Sequence, residues 1–376
     1  MARRRLLARA PLMALALVAL FAGLWGGLLR LGLSVPSDLT SAAVVHGPLM
    51  TFGFLGTLIS LERAVALGRP FVYAAPLAAG AGALLALARA PGSLGQALIL
   101  FAGVVLLGAH VVIGRIQPSA HNLVMGAGAL AWCAAAAMWL AGADVASFAP
   151  LLAGYLVATI VGERLELTRT LERSAWQRSA LIGAIALFGL GLAISIAHEH
   201  LGMRIAGAGV AAQALWLLLF DVARRTVRSA GLTRFMACAL LAGYLWLLVA
   251  GFIWLLDAPT SDGFAYDAAL HAVFLGFVIS MVFAHAGVIV PAVVRVPLRY
   301  SPLFYAHLLL LHLSLALRLI GGDLAGNVTA WQWGGVGNEA AILLFIVFTA
   351  HAVLRGARAR RSRRARESPK LAPAGG

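Results

Sequence analysis

The residues best suited to chemistry in this chain are histidines, ten in all, most of them within or at the ends of long apolar runs. Ionisable groups inside a bilayer are costly, so they are the first place to look for function. His46 and His271 stand a few residues in from the ends of two different runs. With a rise of about 1.5 Å per residue, both fall at nearly the same depth, within about one helical turn of each other. Two neutral imidazoles at matched depth on separate helices can ligate one haem iron from opposite faces. His46, Met50, Gly53 and Thr57 recur at i, i+4, i+7 and i+11 and form one stripe, with small or polar members where a macrocycle could approach. The competing reading is plain packing: a membrane histidine commonly only satisfies a hydrogen bond, and Gly53 and Gly56 let neighbouring helices approach.

The other histidines divide into two groups. His110, His121, His285, His307 and His351 lie towards one face and His312 nearer mid-membrane. They suit a second metal site or a proton path, or simply helix ends where interfacial histidine is cheap. His198 and His200, an H-x-H pair, could bind copper or zinc, though a polar loop explains them as well. Glu62-Arg63 and Glu163-Arg164 are expected to pair across helices or to face headgroups. Cys133 and Cys238 lie in apolar segments and suggest neither a disulfide nor a thiolate site. Paired carboxylates, a nucleophile–base set and a phosphate loop are not evident, so hydrolysis is not expected.

The elements that must position these residues are membrane spans. The chain is 62% hydrophobic and 11% charged, too apolar for a soluble domain. Apolar runs fall near 11–33, 42–61, 71–88, 95–114, 121–141, 145–162, 178–197, 203–222, 234–256, 266–288, 302–321 and 334–354. This predicts an all-α, polytopic membrane helix bundle of about twelve transmembrane helices over residues 1–354, followed by a basic cytoplasmic tail, 355–376, expected to be disordered. The first run resembles a signal peptide, but without a clear cleavage site it is expected to remain as the first span. Of the 29 basic residues, only Arg30, Arg89, Arg204 and Arg318 fall outside the termini and alternate loops. That alternation places both termini in the cytoplasm. The net charge of +15 is therefore a membrane signature rather than a nucleic-acid one, and the tail suits anionic lipid. Heavy use of Ala, Leu, Gly and Arg with Lys370 as the sole lysine points to a bacterial cytoplasmic membrane. The endings Ser60-Leu61-Glu62-Arg63 and Val161-Gly162-Glu163-Arg164, with His285 at comparable depth on the tenth run, suggest a pseudo-threefold arrangement of four-helix units.

The segment His46-Gly47-Pro48-Leu49-Met50-Thr51-Phe52-Gly53-Phe54 resembles the second-helix motif of the haem–copper oxidase superfamily, and more closely that of the NnrS family. Asp267-Ala268-Ala269-Leu270-His271-Ala272-Val273-Phe274-Leu275-Gly276-Phe277 resembles the tenth-helix segment of NnrS-type proteins, which are twelve-helix bacterial membrane proteins associated with haem and the nitric oxide response. The resemblance implies haem b with His46 and His271 as axial ligands, and Arg318 near haem propionates, although Asp323 or Glu339 could be the partner of Arg318 instead. It departs from the oxidases in three ways. The sixth helix lacks histidine, the tenth has one histidine where oxidases have an H-x-H pair, and His198 and His200 only loosely match their copper histidines. The implied protein is thus a single-haem relative, with a copper site weakly indicated and a respiratory redox partner or a diatomic gas as its counterpart. Whether it is an enzyme stays open. The rival reading is a proton- or metal-coupled secondary transporter, which would show broken helices in matching positions of two six-helix halves.

Overall fold

The computed structural model describes residues 2–36, 40–167, 174–258, 263–294, 296 and 298–367. Every regular element among them is helical, and twelve helices are long and apolar enough to cross a membrane. In chain order they are α1 (Arg9–Arg30), α2 (His46–Leu67), α3 (Pro70–Leu87), α4 (Pro91–Ile116), α5 (Ala120–Leu140), α6 (Val145–Leu167), α7 (Ala175–Ser195), α8 (Glu199–Phe220), α9 (Gly231–Leu256), α10 (Gly263–Pro291), α11 (Phe304–Leu324) and α12 (Val328–Arg360). The chain is a multi-pass membrane protein. Each expected run has its helix, because an apolar stretch of about 20 residues can satisfy its backbone in lipid only by coiling. The last helix continues to Glu367, so the first part of the basic tail extends α12. The remainder of the tail, 368–376, lies outside the described residues.

Consecutive helices pack as neighbours, and the chain returns so that α12 meets α1. Three helices are central. The apolar stretches of α2, α6 and α10 are 61%, 78% and 61% buried, against 22–50% for the other nine, and α6 packs on both α2 and α10. These three are spaced four apart in the chain, which is the periodicity expected from the sequence. A second sign of the repeat lies in Phe54-Leu55-Gly56-Thr57-Leu58-Ile59-Ser60 and Phe274-Leu275-Gly276-Phe277-Val278-Ile279-Ser280, which share Phe, Leu, Gly, Ile and Ser. In both, the terminal serine hydroxyl donates to the glycine carbonyl four residues back at 2.6 Å.

Small residues let the helices approach, as they do where lipid offers no hydrophobic drive to association. A Cβ at Gly53 would fall 2.8 Å from the Cβ atoms of Ala19 and Ala83, and one at Gly56 would run into Trp132. The helix-approach reading of these two glycines therefore holds. Away from the candidate cavity, polar groups close the other end of the bundle. Arg63 of α2 pairs with Glu163 of α6 at 2.7 Å, as expected. Arg164 does not join a glutamate among the described residues. Its guanidinium forms a bidentate pair with Asp221, at 3.0 and 2.9 Å, with both side chains almost wholly buried.

Candidate functional site

Three stretches of wide-turned π-helix interrupt the α-helices among the described residues. They are Leu49–Gly56 on α2, Ala272–Ile279 on α10 and Leu317–Leu324 on α11. They adjoin His46, adjoin His271 and contain Arg318, respectively. Such turns, with i→i+5 hydrogen bonds, are rare and collect at functional sites. Pro48 prepares the first of them. It has no N–H to give the Val44 carbonyl and its ring crowds that carbonyl, and the chain leaves helical geometry at Val45 (φ −101°, ψ 18°), so that α2 starts afresh at His46.

His46 and His271 line the same cavity, of about 370 Å³, within the general range of cofactor pockets. It lies where α2, α6, α10 and α12 begin and α1 and α11 end. Its walls are apolar: Leu24, Met50, Leu55, Leu152, Phe274, Ile279 and Ile342. Arg30, Tyr266, Asp267, Arg318, Trp331 and Glu339 add polar groups.

Both imidazoles are held in one way. His46 Nδ1 lies 2.7 Å from the Gly23 carbonyl oxygen, and His271 Nδ1 lies 2.8 Å from that of Asp267. A carbonyl only accepts, so each Nδ1 carries a proton, and in the neutral imidazole Nε2 is then the nitrogen with the lone pair. Neither Nε2 has a hydrogen-bond partner among the described residues. That is the tautomer and the backing that a metal-ligating imidazole requires. Gly27 supplies the space beside His46: a Cβ there would lie 3.3 Å from His46 Cε1 and 2.6 Å from Glu339 Oε1.

Asp267 is the hub that the sequence reading missed. Its carboxylate receives Arg318 Nε and Nη2 at 2.8 and 2.9 Å and Trp331 Nε1 at 3.0 Å. One of its oxygens also lies 3.2 Å from His271 Nδ1. The Trp331 ring sits 5.4 Å from the Arg318 guanidinium carbon. Arg318 thus lines the cavity but is paired with Asp267, and neither Asp323 nor Glu339 is its partner. Both Asp323 oxygens are buried without a hydrogen-bond partner among the described residues. The available signal for Asp267 was its place four residues before His271, one turn back on the same helix face.

The stripe expected on α2 is corrected. His46 and Met50 face the cavity, but Thr51 and Leu55 follow them, while Gly53 turns to α1 and α3. Wide turns space the facing positions by four to five residues, so an i+7, i+11 pattern rotates away. On α10 the facing residues are Asp267, His271, Leu275 and Ile279, with Tyr266, Leu270 and Phe274 beside them, in the same wide spacing.

The remaining histidines do not converge. His110 and Asn122 bond each other reciprocally at 2.9 Å. His121 lies 3.9 Å from Glu166, and His285 Nδ1 is 2.7 Å from the Met281 carbonyl. His307, 1% exposed, is enclosed by the rings of Phe235, Phe283, Phe304, Phe345 and Phe348. Trp246 donates to His312 Nδ1 at 2.9 Å. His198 precedes α8, and His200 Nδ1 is 3.2 Å from the Ala258 carbonyl; neither lines the cavity. Among the described residues no three His, Cys, Asp or Glu side chains form a metal-holding group.

The chain belongs to the family described as Domain of unknown function (DUF8744), which matches residues 9–354. Neither a curated protein nor a solved structure matches it.

Proposed function

We propose that this member of that family is a haem-b-binding protein of the bacterial cytoplasmic membrane, NnrS-like, which serves the nitric oxide response or respiratory electron transfer. The observation that carries the reading is the pair of imidazoles on α2 and α10, both backed at Nδ1 and both opening onto one cavity. The donor set fits the group. Two neutral imidazoles suit a low-spin haem iron, and apolar walls suit a macrocycle. When bound, haem would supply a one-electron couple and a centre able to take a diatomic gas.

The chain's own residues do the positioning. The Gly23 carbonyl orients His46. Asp267 orients His271, and Arg318 and Trp331 fix Asp267 in turn. The leucine, isoleucine and phenylalanine walls would keep bulk water from a bound haem. The purified protein should show a six-coordinate low-spin haem b spectrum at roughly one haem per chain. His46→Ala or His271→Ala should abolish that spectrum or convert it to high spin, because one lost ligand opens a coordination position. His307→Ala and His351→Ala should leave it intact. A colourless, folded protein from haem-supplied cells would reject the reading and favour the transporter.

A further inference from the structure

We propose that Arg30, the last residue of α1, is the cation that receives an acidic group of the cavity's occupant, a propionate of the haem proposed above; the inference rests on that reading. Two arginines line the cavity, and they are not equivalent. Arg318 has spent two of its guanidinium nitrogens on both oxygens of Asp267, and the Trp331 ring lies beside it. Its charge is already compensated by that carboxylate, and only Nη1 and one hydrogen of Nη2 are left to donate. Arg30 makes one long hydrogen bond, 3.5 Å from Nη1 to the Ala43 carbonyl, and no ion pair with a carboxylate among the described residues. A guanidinium with its donors unspent is suited to a bidentate carboxylate.

Its place supports the same conclusion. Arg30 follows by three residues, about one turn, from Gly27, which packs on His46 and Glu339. A ligand lying against the His46 wall therefore has Arg30 one turn further out, at the end where α1 leaves the apolar zone. Glu339 lines the same wall, so an acidic ligand group there needs a compensating cation, and Arg318 is committed elsewhere. The occupant this arrangement fits is a flat apolar body with its acids at the rim. Arg30 is also one of four basic residues that break the arginine asymmetry of the chain, so a lipid headgroup or Asp38, which lies outside the described residues, is the competing partner.

The test titrates the haem-free full-length protein in detergent with iron protoporphyrin IX and with its dimethyl ester, which lacks the two acids. Dissociation constants are read from the Soret band for the wild type, Arg30→Gln and Arg30→Lys. The wild type should prefer the free acid by about tenfold or more, the scale of one charge-assisted pair. Arg30→Gln should remove that preference by weakening the acid form alone, and Arg30→Lys should keep part of it. Unchanged ester binding serves as the control for folding. Equal weakening of both forms in Arg30→Gln, or no weakening of either, overturns the assignment and leaves Arg30 to a headgroup or Asp38. A wild type that binds both forms equally well overturns it too, with the haem reading intact. A wild type that takes up neither form rejects the haem reading itself.

Discussion

At the scale of single residues, the site is a chain of charges that ends on one imidazole. Arg318 holds Asp267, and Asp267 lies against His271. If haem occupies the cavity, the two charges pull its potential in opposite directions. Arg318→Leu leaves the Asp267 anion uncompensated beside the iron's ligand, which favours the ferric state and lowers the midpoint potential. Asp267→Asn removes the anion and raises it. The double variant should return towards the wild type, because removing the cation and the anion together leaves the net charge beside the site unchanged. Loss of the carboxylate should also weaken haem retention by about tenfold or more, the usual range for partners behind a metal ligand. Redox titration of the three variants checks the signs, and shifts of the same sign in both single variants would refute the chain of charges.

At the scale of elements, the helices were legible in the sequence and the turns inside them were not. Each of the twelve apolar runs has its helix, since length and hydropathy decide spans in lipid. By residue count His46 and His271 fall at one depth, since both stand before the wide turns and the count does not cross a change of turn width. Facing does not survive it. Gly53 was expected on the cavity side and turns away, because Leu49–Gly56 winds wider than an α-helix. Nothing in the residue types of Leu49–Gly56 distinguishes a π-turn from an α-turn, whereas Pro48 did mark where the chain breaks before His46. Asp267 has no evident role in the sequence alone, since its partner Arg318 lies 51 residues on. This gives the wide turn a testable consequence. Deleting one residue between Phe52 and Gly56 should let α2 close into a regular helix and change the facing of His46 against the rest of α2. The variant should insert and fold, yet lose the low-spin haem spectrum. Full haem occupancy after the deletion would show that the wide turn does not aim His46.

At the scale of the whole molecule, the proposed haem site depends on which end of the bundle faces outward, because that decides where electrons or gas would approach. The cavity lies at the end where α2, α6, α10 and α12 begin, and the arginine pattern assigns that end to the outside. Ion pairing does not undo the pattern. Arg63 and Arg164 at the opposite end are paired with Glu163 and Asp221, and setting both aside still leaves Arg69, Arg115, Arg224, Arg225, Arg228 and the basic tail there. On the cavity side stand only Arg30, Arg89, Arg204 and Arg318, and Arg318 is itself paired. Since paired acids contribute little to orientation, the bias holds with or without the pairs. Reporter fusions after Arg69, Arg115, Trp176, Ala230 and Leu298 should therefore report the cytoplasm. Fusions near Asp38, Asp144, Thr260 and Val328 should report the outside. Inversion of every site would keep the twelve spans and move the cavity to the cytoplasmic face, where a soluble cytoplasmic donor would be its natural partner. Inversion of two or three sites alone would instead break the twelve-span count, and with it the matched depth of His46 and His271.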